Sequence, residues 1–415
     1  MIIIGSIWKY LRFVIVPYAL LLSVPLFIWG GSALGWFTVS VFLVMVLADL
    51  FLGEDTKEYA GQYRYLGLFV WLESSAIVCF ASVILAFAWS LGIRQGVDLF
   101  GVAALTHAFT GFDAATTHQN NPWSYYAAGF FLAGFSGGLV GSVVGHNMTH
   151  RTFNPVSVWI GRIGQAFSMF TYFSIRHPFG HHNLVGTPKD PSWARRGENY
   201  FTFRMRSVWG QYKMTWQLEK TRLHRMGYSV WSWRNQAIHG WLMEATVASV
   251  FIYAAGWLGL FAYLAIGFVS HSVLELVNYV EHYGLVRVPT EPFQYRHAWN
   301  DNHRMTLWVG MAITRHSHHH FDAQVEEYEL KPLVNEAPTT PWGYFPSFFA
   351  ALVPPIWHRV IVPKLLDWDQ RFATSEERAL AARENIRSGI PALVQAGQDY
   401  LNQRTGSDHT AGQPA

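Results

Sequence analysis

Long apolar runs carrying few charges dominate the chain. A helix needs about 20 mostly apolar residues to cross the hydrocarbon core of a bilayer. Six stretches qualify, at roughly residues 13–31, 34–52, 66–91, 125–145, 241–259 and 260–281. The first two form a hairpin through the short WGGSALGW link, and the last two form another around Gly256 and Gly259. The fourth, GFFLAGFSGGLVGSVVG, is rich in Gly and Ser, which lets helix backbones approach closely. The pattern predicts an all-α integral membrane protein of about six transmembrane helices. The opening run MIIIGSIWKYLRFVIVPYALLL lacks a small-x-small cleavage site before a polar start, so it reads as a retained first span rather than a signal peptide.

The polar segments set the expected orientation. Residues 151–240 hold thirteen Lys and Arg, from Arg151 to Arg234, whereas the loop between the third and fourth runs holds only Arg94. By the positive-inside bias, the 151–240 segment is cytoplasmic. Six crossings put the N-terminus (Lys9, Arg12), the 53–65 loop and the C-terminal part on that same side. In residues 283–370 the apolar patch FPSFFAALVPPIWHRVIVP is interrupted by Pro354 and Pro355, which break a spanning helix; an interfacial or re-entrant piece is expected. Residues 374–397 have helix-forming composition, and the last dozen, RTGSDHTAGQPA, read as disordered. The expected organisation is a transmembrane domain over 1–282 including the 151–240 segment, a cap over 283–370, and a polar tail over 371–415.

Composition narrows the function. The chain is 51% hydrophobic and 14% charged, against roughly 25% charged in soluble domains, and its mean hydropathy is +0.13. A net charge of +3 with no basic, aromatic-laced arm argues against nucleic acid. Cys79 is the single cysteine. It excludes an internal disulfide framework and any cysteine-ligated iron–sulfur or rubredoxin-like centre. Chemistry that needs electrons must draw them from a separate protein.

Histidine supplies the candidate chemistry. Clusters occur at His146 and His150, at His177, His181 and His182, at His282, and at His316, His319 and His320. On a helix, residues four apart share a face. His146 and His150 can therefore address one ion, His177 and His181 can do the same, and His182 can reach a neighbouring ion. Neutral imidazole suits Fe, Zn, Cu and Ni, and nine histidines suit two ions. All four clusters fall at the expected cytoplasmic ends of the spans. His271, Glu275, Asn278 and His282 form one helix face inside the last run, and such polar groups face a bundle interior or a cavity; His271, Glu275 and Asn278 are candidate cavity or supporting residues. Glu281, Asp190 and Glu198 are candidates to accept the outer N–H of a ligand imidazole.

These residues carry a resemblance. HNMTHR, HPFGHHNLVGTPKDP followed by RRGE, NYVEHYGL and RHSHHHFDA resemble, in order and approximate spacing, the membrane-bound non-haem di-iron hydroxylases. That family holds the alkane hydroxylases and the hydroxylase component of xylene monooxygenase. HAWN at 297–300, YELKP at 328–332, EAPTTP at 336–341 and PPIWHRVIVPKLLDWDQRFAT at 354–374 look closer to the xylene branch. The resemblance implies a desaturase-like fold with a cytoplasmic histidine-rich cap. It implies two Fe ions held by His146, His150, His177, His181, His182, His282, His316, His319 and His320, with His318 set aside. It further implies O2-dependent hydroxylation of a terminal or benzylic methyl group, an alkyl-aromatic substrate being favoured over an n-alkane. The electron donor it implies is a flavin/[2Fe–2S] reductase or a rubredoxin system, and the location a bacterial-type inner membrane. One departure stands out: the family's first box usually reads HExxH, and this chain has Asn147. A fatty-acid desaturase or hydroxylase is the alternative within enzymes. A metal transporter is the alternative outside them, although few ionisable groups, among them Asp49, Glu73, His271 and Glu275, lie within the spans.

Overall fold

The computed structural model describes residues 2–411, with side chains described for residues 7–404. Among the described residues the chain is helical and has no strand, only isolated bridges at Glu54–His303, Ala194–Tyr283 and Asn300–Thr339. The helices that matter below are α1 (Ile15–Trp29), α2 (Ala33–Phe51), α3 (Gly67–Arg94), α4 (Trp123–His150), α5 (Tyr200–Arg225), α6 (Gln236–His282) and α7 (His316–Phe321). They are followed by α8 (Tyr344–Ala351), α9 (Pro354–Arg371), α10 (Ser375–Arg387) and α11 (Pro391–Ala411).

Four of these, α2, α3, α4 and α6, are long and apolar enough to cross a membrane. The expected first span is a shorter helix, α1, interrupted at Leu22. The expected fifth and sixth spans both lie in α6, which leaves helical geometry at Ala255 and Gly256. There the chain turns back: the Phe251 and Tyr263 rings are 5.5 Å apart, whereas twelve residues of straight helix would separate them by about 18 Å. Gly256 takes φ 57° and ψ −137°, a conformation open essentially to glycine.

Apolar side chains decide which helix is enclosed. α3 and α4 are mostly buried, while α2 exposes Trp36, Val39, Leu43, Val44, Leu47 and Phe51. An exposed aliphatic and aromatic face of this kind suits hydrocarbon rather than water. The glycines of α4 seat it against α6: a Cβ at Gly137 would collide with Ser270 and one at Gly138 with Val273. Close packing is therefore the role of the Gly-rich run.

The helix ends sort into two sides. Asp49 at the end of α2 accepts from Thr306 and from the Phe345 N–H. Glu73, near the start of α3, pairs with Arg151 just beyond α4. Arg12 pairs with Asp55 at 3.2 Å, so the N-terminal segment shares that side. At the opposite side, Tyr125 donates to the Phe27 carbonyl and Arg94 to the Asn121 carbonyl. The 345–363 patch breaks as expected: α8 ends at Ala351, and Pro354 opens α9, where a missing N–H costs nothing. The expected tail folds as helices, with α10 and α11 packed on each other and on α9. The last four residues of the stretch read as disordered, 412–415, lie outside the described residues.

Candidate metal centre

Each histidine is delivered by local structure. His146 and His150 lie one turn apart in the last turns of α4, and His282 is the last residue of α6. His316, His319 and His320 sit on the short helix α7. Residues 177–181 form a π-helical turn, in which the His182 N–H donates to the His177 carbonyl, a five-residue step. Pro178 brings no N–H of its own to this turn.

The nine histidines converge in two groups. His146, His150, His177, His182 and His319 form one; His181, His282, His316 and His320 form the other. Within each group the candidate ligand atoms all lie within 4.8 Å of one another. Nε2 of His146 is 2.7 Å from that of His177, and Nε2 of His182 is 3.0 Å from it. In the second group, His316 Nε2 is 3.0 Å from His282 Nε2 and 2.9 Å from His320 Nε2. Two nitrogens each about 2.1 Å from one ion and at right angles to it would be about 3.0 Å apart. The spacing and the all-nitrogen donor set therefore fit a metal ion of high coordination number in each group. Burial, reinforced by neighbouring rings, pushes the His177, His182, His319 and His320 imidazoles well below their ordinary value, so they are held in the neutral, ligating form.

The pairing differs from expectation in one respect. His177 and His181, four apart, would share an ion on an α-helix. The π turn instead puts His177 with His182, five apart, and sends His181 to the other group. His318 stays outside both groups, its Nδ1 accepting from the Lys331 N–H at 3.3 Å.

Three ring nitrogens facing away from the groups have partners among the residues singled out beforehand. Asp190 Oδ2 is 2.7 Å from His181 Nδ1, the Asn278 carbonyl accepts from His282 Nδ1 at 2.9 Å, and Asn147 Oδ1 lies 3.1 Å from His146 Nδ1. Burial would raise the Asp190 carboxyl, but His181 and the fully buried Arg176 outweigh it and hold it at about 2.

Three other expectations need correction. Glu198 faces Arg206 at 2.7 Å rather than any ligand ring. Glu281 does not back an imidazole from outside: its Oε2 lies 3.2 Å from Nε2 of His316, on the inner side, and its Oε1 accepts from the Tyr344 hydroxyl at 2.7 Å. His271 and Glu275 form an interhelical seam rather than a cavity wall. His271 donates to the Met169 carbonyl and stacks on Phe170, and Glu275 accepts from Gln211 at 2.6 Å.

Two openings approach the histidines, the first only as far as Glu281. An apolar pocket lined by Leu139, Val143, Val277, Ile313, Phe345 and Phe348 has Glu281 and Tyr344 in its wall, beside the four-histidine group. Helices α2 and α3 contribute nothing to its lining. A second, polar cleft meets the five-histidine group at His146, Asn147, His150 and His319, with Arg151, Glu326 and Glu327 at its rim. Sequence reasoning gave no site role to Glu73, Arg151 or Tyr344. A carboxylate inside an apolar span was the available signal for Glu73; Tyr344 had none.

The scaffold and site define a class: a helical, membrane-type protein that gathers nine histidines, in two groups able to hold metal, beside an apolar pocket. Residues 121–349, more than half of the chain, match the family described as "Fatty acid desaturase", and the chain belongs to that family. It is 34% identical over 255 residues to alkane 1-monooxygenase 1 of Pseudomonas aeruginosa, covering 60% of this chain and 65% of that one. It is 34% identical over 254 residues to the xylene/toluene monooxygenase hydroxylase component XylM of Pseudomonas putida, covering 60% and 67%. It is 33% identical over 237 residues to the alkane 1-monooxygenase of Ectopseudomonas oleovorans, covering 54% and 57%. The match to the first of these spans just under two thirds of that relative's length. The identities do not favour the xylene branch over the alkane one.

Proposed function

We propose that this chain is the hydroxylase of a membrane-bound non-haem di-iron monooxygenase. It inserts one atom of O2 into a terminal or benzylic methyl group of a hydrophobic hydrocarbon and releases the other as water: RH + O2 + 2 e⁻ + 2 H⁺ gives ROH + H2O. The observation that carries the reading is the gathering of nine histidines in two groups, seven of them buried and His150 and His182 half-buried, with an apolar pocket that approaches them at Glu281. An alkyl-aromatic such as toluene, xylene or cymene is the favoured substrate and an n-alkane the alternative. The likeness to XylM and to the alkane 1-monooxygenases supports hydrocarbon oxidation in either case.

The ligands are His146, His150, His177, His182 and His319 for one iron and His181, His282, His316 and His320 for the other. Iron held by these imidazoles would supply the activation of O2. The chain's own residues orient and exclude. Leu139, Val143, Ile313 and Phe348 hold an apolar substrate and keep out water, while Tyr344 fixes the Glu281 carboxylate between pocket and histidines. Two electrons come from a separate flavin/[2Fe–2S] reductase or rubredoxin system, since Cys79 cannot build such a centre.

Six crossings fit the fold-back at Gly256, which divides α6 in two, and the apolar α1. The histidine side is assigned to the cytoplasm of a bacterial-type inner membrane by the Lys and Arg that follow α4. Against a transporter, the acidic and histidine side chains within the spans have protein partners: Asp49 with Thr306, Glu73 with Arg151, Glu244 with Thr171, His271 with Met169, Glu275 with Gln211 and Glu281 with Tyr344.

The test is whole cells co-expressing a reductase and supplied with xylene or octane, together with iron analysis of the purified chain. Two irons per chain and an alcohol from either substrate are expected. No alcohol under O2 from either substrate would sink both substrate assignments, and a new double bond in lipid extracts would move the function to desaturation.

A further inference from the structure

The two histidine groups are backed differently. In the four-histidine group a carboxylate touches a ring nitrogen directly, Asp190 on His181. In the five-histidine group no ring among the described residues has a carboxylate partner, and His146 rests on an amide instead. That amide has a second end. Asn147 Oδ1 is 3.1 Å from His146 Nδ1, and Asn147 Nδ2 donates to Glu73 Oε1 at 3.3 Å. Glu73 comes from a different helix, α3, and is completely buried. A carboxylate at such a place needs compensation, and Arg151 supplies it through a short ion pair, itself anchored on Glu326.

We infer that Glu73 is the positioning carboxylate of the five-histidine group, acting on His146 through Asn147. An amide bridges well because its oxygen accepts and its nitrogen donates. With the Nδ2 end held by Glu73, the Oδ1 end must face the ring. The His146 Nδ1 then carries its proton toward Asn147, and Nε2 is the nitrogen turned to the group. A carboxylate behind a ligand imidazole raises its basicity and fixes its tautomer. Here the effect is relayed through one hydrogen-bonded amide. The Glu73–Asn147 pair is therefore interchangeable in principle. A carboxylate at 147 would touch His146 directly and lie four residues before Arg151, a favourable spacing on a helix, provided position 73 becomes the amide.

The inference rests on the metal reading above, and the experiment separates the two. Iron-loaded full-length protein, Glu73→Gln, Asn147→Glu and the double variant are compared for iron per chain and for the rate of iron release to a chelator. The parent should hold two irons. Glu73→Gln should release one equivalent about tenfold faster or more, with the other unchanged. Asn147→Glu alone opposes two carboxylates across 3.3 Å and should do the same. The double variant should return to within about threefold of the parent, a non-additivity expected of a direct pair. A parent that takes up no metal defeats the site reading. Should the parent hold two irons while Glu73→Gln releases both at parental rates, the positioning role is wrong. The same conclusion follows if the double variant is as impaired as the single ones. If Glu73→Gln fails to fold, the double variant decides: recovery of fold and both irons supports the pair, and failure reduces Glu73 to a packing partner of Arg151.

Discussion

Asp190 places a carboxylate oxygen 2.7 Å from Nδ1 of His181, and neither side chain is exposed. The Ser192 N–H donates to the other Asp190 oxygen, and Arg176 reaches the Ser192 hydroxyl. The carboxylate is thus held directly by His181 and the Ser192 N–H, and Arg176 braces Ser192 from behind. Replacing it by an amide should lower metal affinity in the four-histidine group about 10- to 100-fold. Competitive chelation of Asp190→Asn checks this; an unchanged affinity would contradict the bracing role.

His319 and His318 are neighbours with different surroundings. His319 joins the five-histidine group, whereas His318 meets the Lys331 backbone. His319→Ala should lose one of two irons, and His318→Ala should keep both. Metal analysis of the two purified variants distinguishes them without any turnover assay.

Phe348 lines the apolar pocket and is buried. Phe348→Ala should enlarge the pocket and shift products toward bulkier hydrocarbons, at a stability cost of about 3 kcal/mol. Product identification across a substrate panel reads the first effect and thermal unfolding in detergent the second.

The Glu377 carboxyl caps α10 and accepts from Arg296 and His297, at 2.8 and 2.5 Å. Burial would raise it, but these hydrogen bonds outweigh burial and hold it at about 2, below an ordinary value of 4.5. Stability from this contact is then complete above pH 4.5 and is lost as pH falls toward 2. Hydrogen exchange of residues 372–404 should rise over that window, and Glu377→Gln should remove the pH dependence.

Gly256 turns α6 back with φ at 57°. A β-branched residue there should cost about 1–3 kcal/mol, although a Cβ at this position meets nothing within 4 Å. Comparing Gly256→Val with Gly259→Val separates backbone strain from crowding, since a Cβ at 259 would collide with the Phe251 carbonyl.

Much of the fold was legible because lipid imposes a coarse rule: long apolar runs must be helices. The runs over α2, α3 and α4 and the turn at Gly256 follow from it. Histidine membership was legible too, since ligand type and clustering survive any local geometry. The division between groups was not. It depends on the π turn at 177–181, and periodicity arguments assume an α-helix. Glu281 and Glu198 were misread because one adjacent acid looks like another in sequence; only the fold turns Glu281 inward and gives Glu198 to Arg206. The apolar pocket draws on Ile313, Phe345 and Phe348, residues outside every predicted span.

The dividing line between the two histidine groups runs through two peptide bonds: His181 and His182 go to opposite groups, as do His320 and His319. Each bond joins residues whose Cα atoms lie about 3.8 Å apart. A shift of either backbone segment therefore moves a donor in both groups at once. The two groups thus share a common backbone wall, and the placing of donors in one is set in part by the placing of donors in the other.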